Sequence, residues 1–169
     1  MYLSVLAGAG NHTTNRLIGW TAKVLADHPD SRRDLVEDRS LIPNAIEEVL
    51  RYEPSSTQDA RYVAEDVDLL GHRVPAGSAM LCLIGAANRD ETVFPDADTF
   101  DIRRQIGHHL TFAYGPHFCL GATLARLEGR VALEELLARF PEWEIDTANA
   151  RLAATPGVRG YASLPMVVS

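Results

Sequence analysis

Phe112-Ala113-Tyr114-Gly115-Pro116-His117-Phe118-Cys119-Leu120-Gly121 is the stretch on which the reading turns. It is a glycine-punctuated loop carrying one cysteine, and it leads straight into a segment with helical periodicity. In that segment, Gly121 to Phe140, Leu124, Leu127, Val131, Leu133, Leu136, Leu137 and Phe140 follow the helical period, and Pro141 closes it. Cys119 therefore lies just ahead of a helix start, where free N–H groups and the macrodipole favour negative charge. Such a position draws a thiol toward its ionised form. Gly115 and Gly121 leave the backbone free to approach a flat cofactor and to donate N–H bonds to sulfur.

Working outward, the chain of 169 residues, 46% of them hydrophobic, is long enough for one domain with a real core. The formal net charge is −7 and no Lys/Arg run interrupts the acidic balance, which argues against nucleic-acid binding. No apolar run is long enough for a membrane span. Met1-Tyr2-Leu3-Ser4 has neither a charged n-region nor a small-residue cleavage site, so it does not read as a signal peptide. The other cysteine, Cys82, lies in the apolar strand-like run Met80-Leu81-Cys82-Leu83-Ile84, where a free cysteine acts as a small hydrophobe. Sequence alone leaves a Cys82–Cys119 disulfide open. With no Cys-x-x-Cys pair, a zinc ribbon or iron–sulfur site is disfavoured, and a reduced, cytoplasmic protein is the simpler reading.

Upstream, Leu3 to about Ala26 reads as a helix with Leu3, Leu6, Gly10, Thr13, Leu17 and Val24 near one face. It starts without a cap and carries Gly8-Ala9-Gly10 inside, which predicts a local distortion or a close neighbour. Pro29 ends it, and Asp30 to Asp38 reads as a short amphipathic helix. The next begins at Ile42-Pro43, carries Ala45, Ile46, Val49 and Leu50 inward, and stops at Glu53-Pro54. Between Gln58 and Ile84 the period changes: Arg61-Tyr62-Val63, Val67-Asp68-Leu69 and Ser78 to Ile84 read as short strands. A helical turn at Asn88-Arg89-Asp90 and an irregular stretch to Gly115 follow, and Leu164 to Val168 resembles edge strands.

A single thiolate with no partner ligands nearby fits haem iron better than zinc, which wants three or four protein ligands. From the cysteine alone, a buried residue at a helix start would be the plainer reading. The ten residues around it decide otherwise, because they strongly resemble the cysteine-ligand loop of the cytochrome P450 family. That pattern is Phe, a small residue, any residue, Gly, two more, any residue, Cys, any residue, Gly. Ala113 stands here where the family usually has Gly or Ser. The resemblance makes Cys119 the iron ligand, with Phe112, Gly115, Gly121 and His117 against the haem and His117 and Arg61 on its propionates. Buried propionates need charge-assisted donors, which suits both residues. Read alone, Arg61 is equally a solvated strand-end charge, and His117 a loop histidine satisfied by backbone.

Further resemblances follow in family order. Glu48-Val49-Leu50-Arg51 would alone be a surface ion pair worth ~0.2–0.5 kcal/mol; here it resembles the buried Glu-x-x-Arg motif. The family's third partner comes from just before the Phe of the Pro95 to Phe100 segment, where this chain has Thr99, leaving Arg103 or Arg104 as substitutes. Ala9-Gly10-Asn11-His12-Thr13-Thr14 resembles the oxygen-binding helix. There Gly10 would make room for dioxygen, and Thr13 would pass protons with His12 in the place of the usual carboxylate. Histidine can relay protons near neutral pH. The alternative is a Thr-capped groove with His12 merely packed. Arg126 and Arg130 either help to dock an acidic electron donor or form a solvated helix face, and His28, His72, His108 and His109 are structural or exposed.

The implied fold is mainly α with small β-sheets, the C-terminal part of the cytochrome P450 fold, in one partial domain over residues 1–169. Family chains are more than twice this length, so Met1 reads as a truncated gene start or a fragment boundary. The implied function is a soluble, bacterial-type haem-thiolate monooxygenase. It would hold haem b, take electrons ultimately from NAD(P)H through a ferredoxin or flavin-containing reductase, and insert one oxygen atom into a small apolar organic substrate. A truncated, inactive remnant and a peroxide-using haem enzyme are the alternatives. The isolated chain is expected to hold haem poorly.

Overall fold

A computed structural model of the chain describes residues 2–153, 155 and 157–169; the start at Met1 lies outside the described residues. Helices form the body: α1 Tyr2–Asp27, α2 Pro29–Glu37, α3 Ile42–Tyr52, the short α4 Ile84–Ala87 and α5 Ala122–Arg139. The strands are short and pair antiparallel: β1 Asp59–Tyr62 with β4 Ala79–Cys82, β2 Val67–Leu69 with β3 His72–Val74, β5 Trp143–Ile145 with β8 Met166–Val168, and β6 Arg151–Leu152 with β7 Tyr161–Ser163. Mainly α with small sheets is the architecture the sequence implies. Pro29 starts α2 rather than only ending α1, since its missing N–H costs nothing at a first helical position. β3, β5, β6 and β7, of two or three residues each, are additional to the strands the sequence suggests, and Ile84 opens α4 instead of closing a strand.

The core lies where α1, α3 and α5 meet. Ala45, Ile46, Val49 and Leu50 are all buried, as the spacing of α3 predicts. The other two helices are used differently from their periodicity. On α1 only the C-terminal half is covered, through Leu17, Trp20, Thr21, Val24 and Leu25, while Leu3 is 77% and Leu6 49% exposed. On α5 the inward line is Ala122, Gly129, Leu133 and Leu137, whereas Leu124, Leu127, Val131 and Phe140 are exposed. Gly129 explains the choice: a Cβ there would stand 3.1 Å from Leu17 Cδ2 and 3.4 Å from Ile46 Cγ2. Helices approach that closely only over a residue without a side chain. An α5 apolar on both sides is the pattern of a surrounded helix.

Two neighbouring glutamates on α3 tie the rest of the chain to this core. Glu48 and Arg51, both fully buried, form a bidentate pair at 2.7 and 2.8 Å. Arg51 also donates to the carbonyls of Asn88 (2.9 Å), Ala97 (2.8 Å) and Thr99 (3.3 Å). Glu48 Oε1 accepts from the Asp101 amide at 3.0 Å and from Arg104 Nε at 3.2 Å. Thr99 therefore contributes a carbonyl, and Arg104 supplies the third side chain, while Arg103 pairs with Asp34. Glu47, one residue earlier, accepts from Arg126 on α5 at 2.6 and 2.9 Å and lies 3.1 Å from His109 Nε2. Buried Asn88 fixes the approach to the cysteine loop, accepting from the Leu110 amide at 2.8 Å and donating to Thr111 Oγ1 at 2.9 Å.

That loop turns through two left-handed residues, Ala113 at φ 58° and Gly115 at φ 62°. Gly115 bears this conformation without cost; Ala113 pays for its Cβ. The chain then passes a single 3-10 turn at Gly115–His117 and enters α5 with Gly121 as its N-terminal cap residue.

Arg51→Leu leaves the Glu48 carboxylate buried without its main partner and should cost about 3–5 kcal/mol, read as a lowered urea midpoint. Ala113→Gly relieves the left-handed alanine and should raise stability by about 1 kcal/mol; an unchanged or lower melting temperature would contradict the strain. The Glu47 carboxyl is held down to about 2, its hydrogen bonds to His109 and Arg126 outweighing the opposing effect of burial. A depressed carboxyl contributes stability above its unfolded value near 4.5 that is lost as pH falls through about 2. The stability gap between the wild type and Glu47→Gln should therefore narrow as pH drops across that window.

Candidate functional site

Cys119 and Cys82 are both free and exposed, so the disulfide the sequence leaves open is not formed. Cys82 ends β4 opposite Asp59 and is not the buried small hydrophobe its apolar run suggests, because the β1–β4 ribbon leaves that position open.

Cys119 lies in a cleft between the cysteine loop and α1. One wall is Ala9, Thr13, Thr14 and Leu17 from α1; the other is Phe112, Ala113, His117 and Cys119; Ser55, Ser56 and Asp59 also line it. The loop is held in shape by its backbone. The Cys119 amide donates to the Phe112 carbonyl at 2.9 Å, Phe118 N to Gly115 O at 3.0 Å, and Ala122 N to Cys119 O at 3.3 Å. At Gly121 a Cβ would lie 3.9 Å from Cys119 Sγ, while at Gly115 it would meet nothing within 4 Å. The sulfur is thus presented over a nearly bare backbone, at the start of an eighteen-residue helix whose N-terminus favours an anion.

Phe112 is buried, and Arg126 lies over its ring with 4.5 Å from the guanidinium carbon to the centroid. The Arg126 pKa is raised, first by its hydrogen bond to Glu47 against the pull of burial, then by the charges of Glu47 and Cys119. Arg126 is half-buried, with its guanidinium paired to Glu47 and laid over Phe112. Arg130 pairs with Glu134 at 3.5 Å on the outer face. His117 lines the cleft from the loop. Arg61 is two residues along β1 from Asp59 and so shares its strand face; its guanidinium donates to the Ala60 carbonyl at 2.9 Å and lies 3.8 Å from Asp59.

Across the cleft, Thr13 Oγ1 donates to the Ala9 carbonyl at 2.7 Å, and Ser55 Oγ to the Thr13 carbonyl at 3.1 Å. Ala9 is the residue of that helix turn that faces Cys119. Gly10 is exposed, does not line the cleft, and has nothing within 4 Å of where its Cβ would be. His12 does not line the cleft itself but borders an adjoining groove with Gly8, Ala9, Thr13, Arg16, Thr155 and Val158, so Ala9 and Thr13 are shared by the two. The signal for Ala9 was available: a helical threonine commonly bonds the carbonyl four residues back.

Glu47, Asn88 and Ser55 were not singled out from the sequence, and His109 was read only as structural or exposed. It is the former, buried against Glu47 and beside Phe112. His28 is likewise structural, with Nδ1 2.8 Å from the Val24 carbonyl, whereas His72 and His108 are exposed. Among the described residues no helix is long and apolar enough to cross a membrane.

The donor set suits a haem: one unpaired thiol lining a cleft, the aromatic Phe112, a bare backbone at Gly115 and Gly121, and two hydrogen-bond donors, His117 on the loop and Arg61 on β1. Comparison with known proteins gives the same assignment. The cytochrome P450 family model matches residues 2–158. A putative cytochrome P450 123 of Mycobacterium tuberculosis is 44% identical over 168 residues, which are 99% of this chain and 42% of that protein. Cytochrome P450 monooxygenase PikC of Streptomyces venezuelae is 42% identical over 165 residues, 96% of this chain and 40% of its own. The crystal structure of P450BioI with an acyl carrier protein ligated to hexadec-9Z-enoic acid superposes with a TM-score of 0.93 at 39% identity, covering 98% of this chain and 43% of that one. Cytochrome P450 CYP109Q5 from Chondromyces apiculatus has a TM-score of 0.93 at 42% identity, with 98% and 43% covered. The chain spans about 42% of the curated relatives it matches, and over that span, in sequence and in backbone alike, it belongs to the cytochrome P450 family.

Proposed function

We propose that this chain is the iron-ligating part of a haem-thiolate monooxygenase that inserts one oxygen atom from O2 into a small apolar organic substrate. The observation that carries the reading is the placement of Cys119 and Thr13 on opposite walls of one cleft. Haem b would be held there by Cys119 as its single protein ligand, with Phe112 beside it and His117 and Arg61 donating to its propionates. Bound in this way, the haem supplies dioxygen activation, with the thiolate donating electron density to the iron. Electrons would come ultimately from NAD(P)H through a ferredoxin or flavin-containing reductase. Two free thiols suit a reducing compartment, the cytoplasm.

The chain's own residues have distinct tasks. The loop backbone keeps Cys119 on the cleft wall and leaves space above Gly115 and Gly121. Leu17, Phe112 and Ala125 make that part of the cleft apolar. Thr13 holds a proton at Oγ1, directed at the Ala9 carbonyl, and Ser55 secures the same helix turn from below. His12 stands where the family pattern has a carboxylate, and it would relay protons to Thr13 from the adjoining groove that both residues line. The missing carboxylate favours a second reading, a peroxide-using enzyme of the same fold, in which oxygen arrives already reduced and a proton relay matters less. The exposed apolar residues of α1 and α5 favour weak cofactor retention by the isolated chain, because both sit where a haem-enclosing protein would be covered.

Saturating the chain with haem, reducing it and adding carbon monoxide tests the ligand. Wild type and Cys82→Ser should give the Soret band of thiolate ligation, and Cys119→Ser should not. A thiolate band that survives Cys119→Ser overturns the assignment. Gel filtration should strip most of the haem from the isolated chain; full retention would contradict weak holding. Turnover with NAD(P)H and reductase against turnover with hydrogen peroxide separates the two readings.

A further inference from the structure

Glu47 and Glu48 are adjacent on α3, so their side chains diverge by about 100° around the helix. Glu48 serves the network of Arg51 and Arg104. Glu47 is turned toward the cysteine loop and takes no part in that network. Both of its oxygens are engaged: Oε1 by Arg126 Nε at 2.6 Å, and Oε2 by Arg126 Nη2 at 2.9 Å and His109 Nε2 at 3.1 Å. A carboxylate can only accept, so the imidazole proton lies on Nε2. Nδ1 is then free to accept from the Thr111 amide, 3.3 Å away. Both carboxylate oxygens, both imidazole nitrogens and two of the three guanidinium nitrogens thus have partners within the cluster or its loop.

His109 precedes Cys119 in the chain and Arg126 follows it on α5, so the carboxylate pins both flanks of the loop to one point on α3. Both partners also touch the same ring. Arg126 lies 4.5 Å from the Phe112 centroid, and the His109 ring lies 5.9 Å from it, tilted by 40°. Phe112 in turn accepts the Cys119 amide through its carbonyl at 2.9 Å. The cluster borders a small cavity of about 70 Å³ shared with Phe118, directly against the loop.

We propose that Glu47, His109 and Arg126 form a clamp, separate from the Glu48 network, that positions Phe112 and through its carbonyl the backbone of Cys119. They are positioning residues: none lines the cleft between Cys119 and Thr13. The inference rests on reading Cys119 as the ligand for its functional meaning, but the clamp itself acts in the haem-free chain.

Amide hydrogen exchange of the 169-residue chain without haem therefore tests it apart from the ligand reading. Glu47→Gln and Arg126→Met should each speed exchange at Ala113 and Cys119 by roughly tenfold, the size expected for losing one charge-assisted bond. Amides of β1, β4 and the buried middle of α3 should keep their wild-type rates. The double variant should be no faster than the faster single one, because both changes open the same clamp, and Arg126→Lys should fall between wild type and Arg126→Met. If Glu47→Gln does not fold, Arg126→Met and Arg126→Lys carry the test. Wild-type rates at Ala113 and Cys119 in the folded variants, acceleration spread evenly over the whole chain, or additive effects in the double variant would each overturn the clamp.

Discussion

Arg51 is wholly buried, and every direction in which its guanidinium can donate is taken: two bonds to Glu48 and three to main-chain carbonyls from residues 88 to 99. The irregular stretch between α4 and the cysteine loop has little regular structure of its own. Its carbonyls would be unsatisfied if it packed against an apolar helix. Arg51 lets that stretch lie on α3 at all, and the Asp101 amide and Arg104 complete the arrangement from the other side of Glu48. A buried pair of this kind is weak evidence for stability in itself, since desolvation consumes much of the attraction. Its consequence is specificity: the loops behind the cleft have one arrangement in which all donors and acceptors match.

From this anchor the order of dependence runs outward. Asn88, its carbonyl fixed by Arg51, uses its side chain to hold Leu110 and Thr111. Thr111 also donates to the Leu50 carbonyl at 2.7 Å, which brings the next residue, Phe112, onto the core. Phe112 then receives Cys119. The cysteine sits in an exposed loop, yet the bonds leading to it trace back to α3, through Thr111 to Leu50 and through Asn88 to Arg51.

What the sequence made legible were features written in local spacing. The cysteine loop, the inward face of α3 and the positions of β1, β2, β4 and β8 needed only neighbours along the chain. The inner face of α5 did not, because periodicity marks Leu124, Leu127 and Val131 as strongly as Leu133 and Leu137. The choice between the faces is made by Gly129, whose meaning lies in the approach of Leu17 and Ile46 from two other helices. The third side chain beside Glu48 was hidden for a related reason: Thr99 is at the expected place but contributes its carbonyl, and Arg104 reaches back from beyond the turn. Ala9 and Glu47 were overlooked where a conspicuous neighbour, Gly10 or Glu48, drew the reading.

The two walls of the cleft differ in what supports them. The cysteine wall is tied by the Glu48 and Glu47 clusters and by the backbone bonds of the loop, all within the described residues. The α1 wall is tied from Thr13 onward, through Ser55, Leu17 and Trp20, whose indole donates to the Arg159 carbonyl at 3.2 Å. Before Thr13 the helix has glycines at 8 and 10 and apolar side chains turned to solvent, so among the described residues it is covered far less than the half that follows. Glycine lowers helix propensity by about 1 kcal/mol per residue relative to alanine. The ligand side is therefore preorganised, while the opposing wall at Ala9 is stable only as far as Thr13 secures it. Because Thr13 both bonds to Ala9 and marks the start of the covered segment, the residue that shares the cleft with Cys119 also sets where the support of α1 begins.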